Sequence, residues 1–401
     1  IVVYNPGYRN SHSGPDFSNA RIRIGQIEWI GNVEIHIHSS GWRDHHHETD
    51  PAYDNVILHV VWKEDLTVCR KDASILPTVE LKGKVSESLL LRYHKLIHNP
   101  DTIPCANSIA HVPRITCVSM LEKAMLTRLE TKAGSIHNML ANNNNDWEET
   151  CYQLLCRNFG FKVNSEAFFQ LSKCLPYKML MKHADKPLQV EALLFGQAGL
   201  LDENIDDGYL RLLQREYAVL GRKFGLMDSK MTKVQWRFLR LRPANFPGIR
   251  IAQLAALLSQ QRNIFSRFLQ VQTYRDLCDM LSVSQSEYWK HHYVFGRLVD
   301  EDIPSIGQSS VDNIAINTVV PLIVSYGKAK DEQELVDRAV DILQNIRAEQ
   351  NTITGQWSRL GLQCNTAFDS QAILELYNNY CLRRRCLDCS IGTSLVRPVV
   401  A

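Results

Sequence analysis

Acids and histidines near the N-terminus follow one another at spacings that suit metal-dependent chemistry. Asp16 closes a Gly-Pro-Asp turn, and three polar residues of the segment that follows alternate with aliphatic ones: Glu34, His36 and His38. Side chains of a β-strand point alternately to its two faces, so we predict a polar face and a packed aliphatic face, the latter formed by Val33, Ile35 and Ile37. Carboxylates bind Mg²⁺ or Mn²⁺, which lower the pKa of a bound water and neutralise phosphate charge. The pattern predicts a centre that hydrolyses phosphodiester bonds.

The predicted roles follow from side-chain chemistry. Asp16 and Glu34 supply the metal ligands, because two carboxylates on adjacent strands, about 4.8 Å apart, can share one cation. His36 activates water or contacts the phosphate, since an imidazole with a pKa of about 6.5 accepts a proton at neutral pH. His38, on the same face, is the alternative for this catalytic role. A structural interpretation also stays open, in which Asp16 caps a turn and Glu34 pairs with an arginine on a neighbouring strand.

A run of three histidines, His45 to His47, follows in a polar loop. Three consecutive side chains point in different directions, so only one or two of them can join a single metal site. One interpretation leaves them as solvated loop residues. The other places His45 and His47 beside the centre, in contact with a phosphate of a nucleic acid. His59, on the next predicted strand, adds a further titratable group to this region.

Three cysteines near the C-terminus have the spacing of metal ligands: Cys381, Cys386 and Cys389. Two thiolates separated by two residues can hold one metal, and the arginines between the first two cysteines lower thiol pKa values. Such a site needs a fourth ligand, for which Cys105 and Cys364 are the candidates. Thiolates suit both Zn²⁺ and a [4Fe–4S] cluster, so the sequence leaves the metal open. Free cysteines at a frayed terminus are the alternative.

The region from Ser229 to Arg275 contains no acidic residue and nine basic ones. Such an asymmetry favours contact with a polyanion. The residues expected to contact nucleic acid lie on a predicted helix and on the Pro-bounded loop after it: Arg237, Arg240, Arg242, Asn245 and Arg250. Trp236 and Phe246 could stack on unpaired bases. The alternative is that this basic surface packs against acids elsewhere in the chain.

The elements that position these residues divide the chain into two kinds of structure. Apolar alternation predicts short strands, with a hairpin at Gly31-Asn32, a covered strand from Tyr53 to Trp62 and a weaker strand from Leu66 to Arg70. From Ser86 onward the helical period dominates. We predict an α+β fold in three parts: a β-rich domain over 1–115, a connecting helix and Asn-rich break over 116–145, and an all-α domain over 146–401.

Length and composition are those of a globular protein with more than one domain: 401 residues, 45% hydrophobic and 22% charged. No apolar run approaches the ~20 residues of a membrane-spanning helix. The 11 cysteines are an odd number, which favours reduced thiols and a cytoplasmic location over a disulfide framework. The chain starts at Ile1 rather than Met, so we expect that further residues precede it, and without a charged region or a small-residue cleavage site we predict no signal peptide.

The Pro-Asp sequence followed by Glu34-x-His36 resembles the PD-(D/E)xK nuclease superfamily, in which Lys stands where this chain has His36. The resemblance implies a restriction-endonuclease-like mixed sheet, a Mg²⁺ or Mn²⁺ cofactor and cleavage of DNA or RNA. Some nucleases of this superfamily join their chain ends with an iron–sulfur cluster on one distant and three C-terminal cysteines. The resemblance implies that the cysteine group described above could hold such a cluster, with Cys105 or Cys364 as the distant ligand.

Nearly the whole chain also resembles the bacterial family known as domain of unknown function 2851. The resemblance is carried by the C-terminal cysteine group and by four longer segments: 5–17, 31–36, 53–61 and 239–247. This family implies no function. The resemblance implies a further helical segment before the residues of this sequence.

The leading hypothesis is a cytoplasmic metal-dependent nuclease that acts on nucleic acid, with DNA favoured over RNA, and that does not bind a membrane. A second hypothesis is a non-catalytic nucleic-acid-binding or scaffold protein with a degenerate nuclease fold. A third is another metal-dependent phosphoesterase, in which the histidine group supplies the site.

Overall fold

A computed structural model describes residues 1–10 and 12–397 and divides into two compact units. The first contains Ile1–Pro100 and the residues from Ser394 onward, and the second contains Asp101–Thr393. The predicted α+β class is confirmed, because a mixed sheet near the N-terminus precedes a mostly helical region. The Asn-rich loop, predicted as a domain break, lies inside the second unit, where Asp146 caps a helix. The last four residues of the predicted all-α domain lie outside the described range.

The first unit is built on a mixed sheet whose strands, among the described residues, are β1 (Val2–Asn5), β2 (Tyr8–Arg9), β3 (Phe17–Ile24), β4 (Ile27–His38), β5 (Val56–Lys63) and β6 (Thr78–Glu80). Their order is β1-β3-β4-β5-β6, and β2 also pairs with β3. β3 is antiparallel to β1 and β4, whereas β4, β5 and β6 run parallel to one another. Because parallel strands need a crossover connection, the chain between β4 and β5 must pass over one face of the sheet.

β4 is one continuous strand, so the predicted hairpin at Gly31-Asn32 is wrong. The chain reverses instead at Gly25, which has a φ of +62° that suits glycine, and Ile24 pairs with Ile27. Gly31 is needed for close packing rather than for a turn, since a Cβ there would lie 2.5 Å from Cγ2 of Ile57. The predicted strand after Leu66 is also wrong, because only an isolated bridge from Cys69 forms there.

The covered face of β4 at its C-terminal half is the polar one. Val33 is buried in the sheet core as predicted, whereas Ile35 and Ile37 are 45% and 70% exposed, which contradicts the predicted packed aliphatic face. Glu34, on the opposite face, is buried. The prediction of a covered strand is right for β5, where the residues from Val56 to His59 are all buried.

The connection between β4 and β5 contains the short helix α1 (Gly41–Asp44) and a 3₁₀ turn, Pro51–Tyr53. Trp42 of α1, 1% exposed, packs in a small core that holds the crossover in place: Tyr53, Val56, Val68 and Leu76. Burial of a Trp side chain contributes about 3 kcal/mol or more. This core fixes the segment that contains the three consecutive histidines.

Helices occupy most of the remaining chain: α2 (Glu87–Ile97), α3 (Arg114–Asn142), α4 (Trp147–Phe159), α5 (Ser165–Cys174), α6 (Tyr177–Met181), α7 (Pro187–Gln197), α8 (Gly208–Lys223), α9 (Pro247–Gln260), α10 (Ile264–Gln270), α11 (Tyr274–Leu281), α12 (Glu287–Lys290), α13 (Gln308–Ile314), α14 (Val320–Lys330), α15 (Gln333–Asn345), α16 (Thr352–Arg359), α17 (Ala367–Leu376) and α18 (Ser390–Val396). Two π-helical turns, Ala315–Val319 and Tyr377–Cys381, follow α13 and α17. None of the helices in the described part of the chain combines the length and the apolar character needed to cross a membrane.

A carboxylate holds the turn that leads from β4 into α1. Asp65 accepts hydrogen bonds from the backbone amide and the hydroxyl of Ser40, each 3.0 Å long. The Ser39 hydroxyl in turn accepts hydrogen bonds from the amides of Asp65 and Leu66. The Ser40 amide, with the two hydroxyls, lowers the pKa of Asp65 to about 2. The ionised carboxylate therefore fixes the start of the crossover.

We expect Asp65→Asn to lower the free energy of unfolding at pH 7, because the amide is a weaker acceptor for the Ser40 donors. The folded-state pKa of Asp65 lies below its ordinary value of 3.8, so this stabilisation is complete above about pH 4 and is lost as the pH falls toward 2. Denaturant titrations at pH 7 and pH 3 measure the difference. Asp54→Asn, at an exposed position, is the control, and an equal loss at both pH values would contradict the assignment.

Candidate metal centre

β3 and β4 bring the two predicted acids together. Glu34 is 6% exposed, and its Oε2 accepts a hydrogen bond from the backbone amide of Asp16 (3.0 Å). Oδ2 of Asp16 accepts a hydrogen bond from the backbone amide of Ile35 (2.9 Å). This reciprocal pair fixes the Glu34 carboxylate and leaves its Oε1 to face the histidines. Asp16 is thus placed to position Glu34.

The end of α1 turns two of the three consecutive histidines toward the same centre. The amide of His46 donates to the carbonyl of Arg43, and the amide of His47 donates to the carbonyl of Trp42, both at 3.0 Å. This pair of hydrogen bonds is the Schellman ending of a helix, and His46 has the left-handed φ of +59° that the motif requires. His46 is consequently exposed, while His45 and His47 join the centre.

Three histidines have the spacing of a metal-ligand set, and Glu34 lies beside two of them. The ligand atoms of His36, His45 and His47 all lie within 4.8 Å of one another. Nε2 of His36 is 3.2 Å from Nδ1 of His45, and Oε1 of Glu34 is 3.6 Å from Nε2 of His36 and 3.5 Å from Nε2 of His47. A tetrahedral ion with ligands at about 2.1 Å holds them about 3.4 Å apart. Among the described residues, the buried Nε2 of His47 has no hydrogen-bond partner, which fits a ligand atom.

A second layer of side chains orients these groups. Nδ1 of His36 is 2.8 Å from Nε2 of the fully buried His59. When the proton of this hydrogen bond is on His36 Nδ1, the lone pair of Nε2 faces the centre, as a metal ligand requires. The His47 ring stacks on Tyr53 at a centroid distance of 3.7 Å, and Trp42 contacts both His47 and His59.

Burial sets the protonation of the centre. It lowers the pKa of His36 and of His59 to about 4, with neighbouring histidines adding to the effect, and it lowers the pKa of His47. The pKa of Glu34 is raised to about 7, mainly by burial; the Asp16 amide acts against this shift and the Asp16 carboxylate adds to it. Neutral imidazole is the form that binds metals, and a cation would displace the proton of Glu34. His36 is therefore better suited to be a ligand than to be the predicted proton acceptor.

The predicted residues of this region do not all meet. Asp16, Glu34 and His36 converge, but His38 lies exposed at the end of β4, outside the group. His45 and His47, predicted as phosphate contacts, lie among the candidate ligands instead. Tyr53, whose ring stacks on His47, was predicted only as the first residue of a strand.

The exposed arginines of the basic region lie in turns rather than on the predicted helix. Arg237, Arg240 and Arg242 are exposed, and Arg240 has a φ of +61° that a helix excludes. Trp236 is 4% exposed and donates its Nε1–H to the carbonyl of Ala198 (2.8 Å). It packs in the core, so the expectation that it stacks on a base is wrong.

Arg250 is placed differently from the three exposed arginines. It lies on α9 and is 7% exposed, and its guanidinium donates hydrogen bonds to Asn245, Gln253 and Ser310. Its cation also lies over the ring of Phe161, 4.4 Å from the centroid. Arg250 and Asn245 are thus partners inside the second unit, and their contacts hold the Pro-bounded loop against α9.

All four predicted cysteine ligands lie in the second unit and are buried: Cys105, Cys381, Cys386 and Cys389. Burial raises the pKa of Cys105 to about 12 and that of Cys386 to about 11, and neighbouring thiols of the group add to both effects. The thiol of Cys381 likewise interacts with the other three. Cys364, the other candidate for the fourth ligand, interacts with Asp369 and Glu349 instead.

The model of a family described as protein of unknown function (DUF2851) matches residues 1–352. The chain belongs to this family. The matched residues include the histidine centre and the basic region and end before the C-terminal cysteines of this DUF2851 protein. No curated protein and no solved structure matches the chain.

We expect Glu34→Gln to stabilise the metal-free DUF2851 protein more at pH 8 than at pH 5. The folded-state pKa of Glu34, about 7, lies above its ordinary value of 4.5, so the carboxylate destabilises the fold increasingly as the pH rises through this interval. Glutamine stays neutral throughout. Urea titrations of both proteins in a metal chelator measure the difference between their free energies of unfolding. A difference that does not change with pH would show that folding does not raise the pKa of Glu34.

Proposed function

We propose that this protein is a metal-dependent hydrolase of phosphodiester bonds and that its substrate is a nucleic acid. The observation that carries the proposal is the convergence of His36, His45 and His47, whose ligand atoms all lie within 4.8 Å of one another, with Oε1 of Glu34 3.6 Å from His36 and 3.5 Å from His47. Buried groups of this kind are costly unless they are hydrogen-bonded or bind a metal. A purely structural role does not explain why one carboxylate and three imidazoles gather at the same place.

The four ligands differ in how firmly they are held. Glu34, His36 and His47 are enclosed, with side chains 8–9% exposed, and they form the two-histidine, one-carboxylate set found in catalytic zinc sites. His45 is exposed and belongs to the end of a short helix. We assign the three enclosed groups as permanent ligands and His45 as the ligand that can leave, which opens a position to a substrate oxygen.

The donor set favours one class of metal over another. Imidazole nitrogens suit Zn²⁺ and other late transition metals, whereas Mg²⁺ prefers carboxylates and water. We therefore favour zinc over the Mg²⁺ or Mn²⁺ that the two acids alone suggest. When bound, the metal would act as a Lewis acid on phosphate and provide a water nucleophile at neutral pH. Two neighbouring residues orient the ligands: His59 orients His36, and Asp16 orients Glu34.

Two features support a nucleic acid as the substrate. Asp16 and Glu34 lie side by side where β3 begins to pair with β4, in a sheet that continues with the parallel strand β5. This arrangement is compatible with the restriction-endonuclease-like type that the PD-(D/E)xK resemblance implies, with His36 in place of Lys. In the second unit, Arg237, Arg240 and Arg242 are exposed and available to phosphates.

Removing an enclosed ligand should abolish metal binding and hydrolysis. We expect His47→Ala to lose stoichiometric zinc and to lower the hydrolysis of bis(p-nitrophenyl) phosphate and of single- and double-stranded DNA and RNA by ~100-fold or more, since even outer-sphere partners contribute 10- to 100-fold. His45→Ala should weaken zinc binding less. Metal content by mass spectrometry and initial rates with Zn²⁺, Mn²⁺ or Mg²⁺ are the measurements.

His46→Gly is the matched control within the same three residues. It removes an exposed imidazole at a left-handed position that favours glycine, so the fold should be as stable or more stable and both zinc and activity should remain. Hydrolysis that survives in His47→Ala would refute the site. Zinc binding with salt-dependent binding of nucleic acid but no cleavage under any metal would favour the non-catalytic alternative.

A further inference from the structure

The second unit contains a group of buried cysteines that the proposed hydrolytic centre does not use. Cys105, Cys381, Cys386 and Cys389 are each 6–7% exposed, and all four are free thiols. One comes from the start of the unit and three come from its end. Cysteines that are distant in sequence rarely lie together without a cause. These four therefore share either a ligand or a packing role.

The backbone around the cysteines is tied together from both segments. Nη1 of Arg384 donates to the carbonyl of Asp101 (2.9 Å), and Nζ of Lys123 on α3 donates to the carbonyl of Asp388 (3.1 Å). Gly392 of α18 approaches the cysteine turn so closely that a Cβ would lie 2.2 Å from the carbonyl oxygen of Cys386. The cysteine turn is therefore a fixed part of the second unit.

A shared packing role accounts for the other buried cysteines but not for these. Cys151 and Cys156 lie on α4 in the helical core, where a thiol is a small apolar side chain. The four clustered thiols come instead from two segments that are far apart in sequence, next to backbone that Lys123 and Arg384 hold by hydrogen bonds.

The spacing of the sulfur atoms bears on which metal they bind. One zinc ion with four Zn–S bonds of about 2.3 Å holds its sulfurs less than about 4 Å apart. Among the described residues, the ligand atoms that gather within 4.8 Å are those of the histidine group, and no three of these cysteines meet that limit. A four-iron cube places its cysteine sulfurs further apart than a single ion does, since each thiolate binds a different iron.

We propose that Cys105, Cys381, Cys386 and Cys389 bind a [4Fe–4S] cluster that joins the C-terminal segment to the start of the helical unit. Cys117 on α3 interacts with Cys105 and Cys389, and the proposal does not assign it as a ligand. The cluster has no part in the proposed hydrolysis, so the two proposals stand or fall separately.

The test is the metal and sulfide content of the full chain after expression and purification without oxygen. We expect four irons and four acid-labile sulfides per chain and a broad visible absorption band that dithionite bleaches. Iron bound at the histidine centre would bring no sulfide, so the sulfide content separates the two sites. Stoichiometric zinc without sulfide, or no metal on these cysteines after anaerobic reconstitution with iron and sulfide, would overturn the proposal.

Two ligand variants and two control variants test the ligand set. Cys386→Ser should lose the visible band and most of the iron, and Cys105→Ser should do the same although it lies far away in sequence. Cys117→Ala and Cys174→Ser should keep the full iron and sulfide content, because neither thiol is assigned as a ligand. Far-ultraviolet circular dichroism shows whether each variant folds. Retention of the cluster in a folded Cys105→Ser protein would contradict the assignment of the fourth ligand.

Discussion

The parallel pairing of β4 with β5 is the constraint on which the histidine centre depends. Two parallel strands cannot be joined by a tight turn, so the connecting segment has to cross a face of the sheet. Here that segment contains α1 and the histidine run, and it covers the face from which Glu34 and His36 project. An antiparallel hairpin at the same place would leave His45 and His47 far from either residue.

Burial then determines what the centre can do. Because the centre is buried, the imidazoles of His36 and His59 are neutral at physiological pH and the Glu34 carboxylate holds a proton more tightly than usual. Uncharged imidazoles have a free nitrogen lone pair with which they can bind a cation. On the other side of β4, Ile35 and Ile37 are exposed and carry no polar group that would need a partner.

The two proposed metal sites differ in how far apart in sequence their ligands lie. The histidine centre takes its ligands from one stretch, from Glu34 to His47, and uses a helix end to gather side chains that are neighbours in sequence. The cysteine group joins a local turn to a residue at the other end of the same unit. Nitrogen and oxygen donors at the first and sulfur donors at the second suit different metals.

The sequence by itself determined the α+β class, the alternation that places Glu34 with His36, the spacing of the C-terminal cysteines and membership of the DUF2851 family, because local periodicity and motif spacing record these features. Only the tertiary structure decided which face of β4 is covered, that His45 and His47 join Glu34 while His38 stays exposed, and that Arg250 is buried. Strand pairing and the direction of a crossover set those outcomes, and both depend on contacts between residues that are distant in sequence.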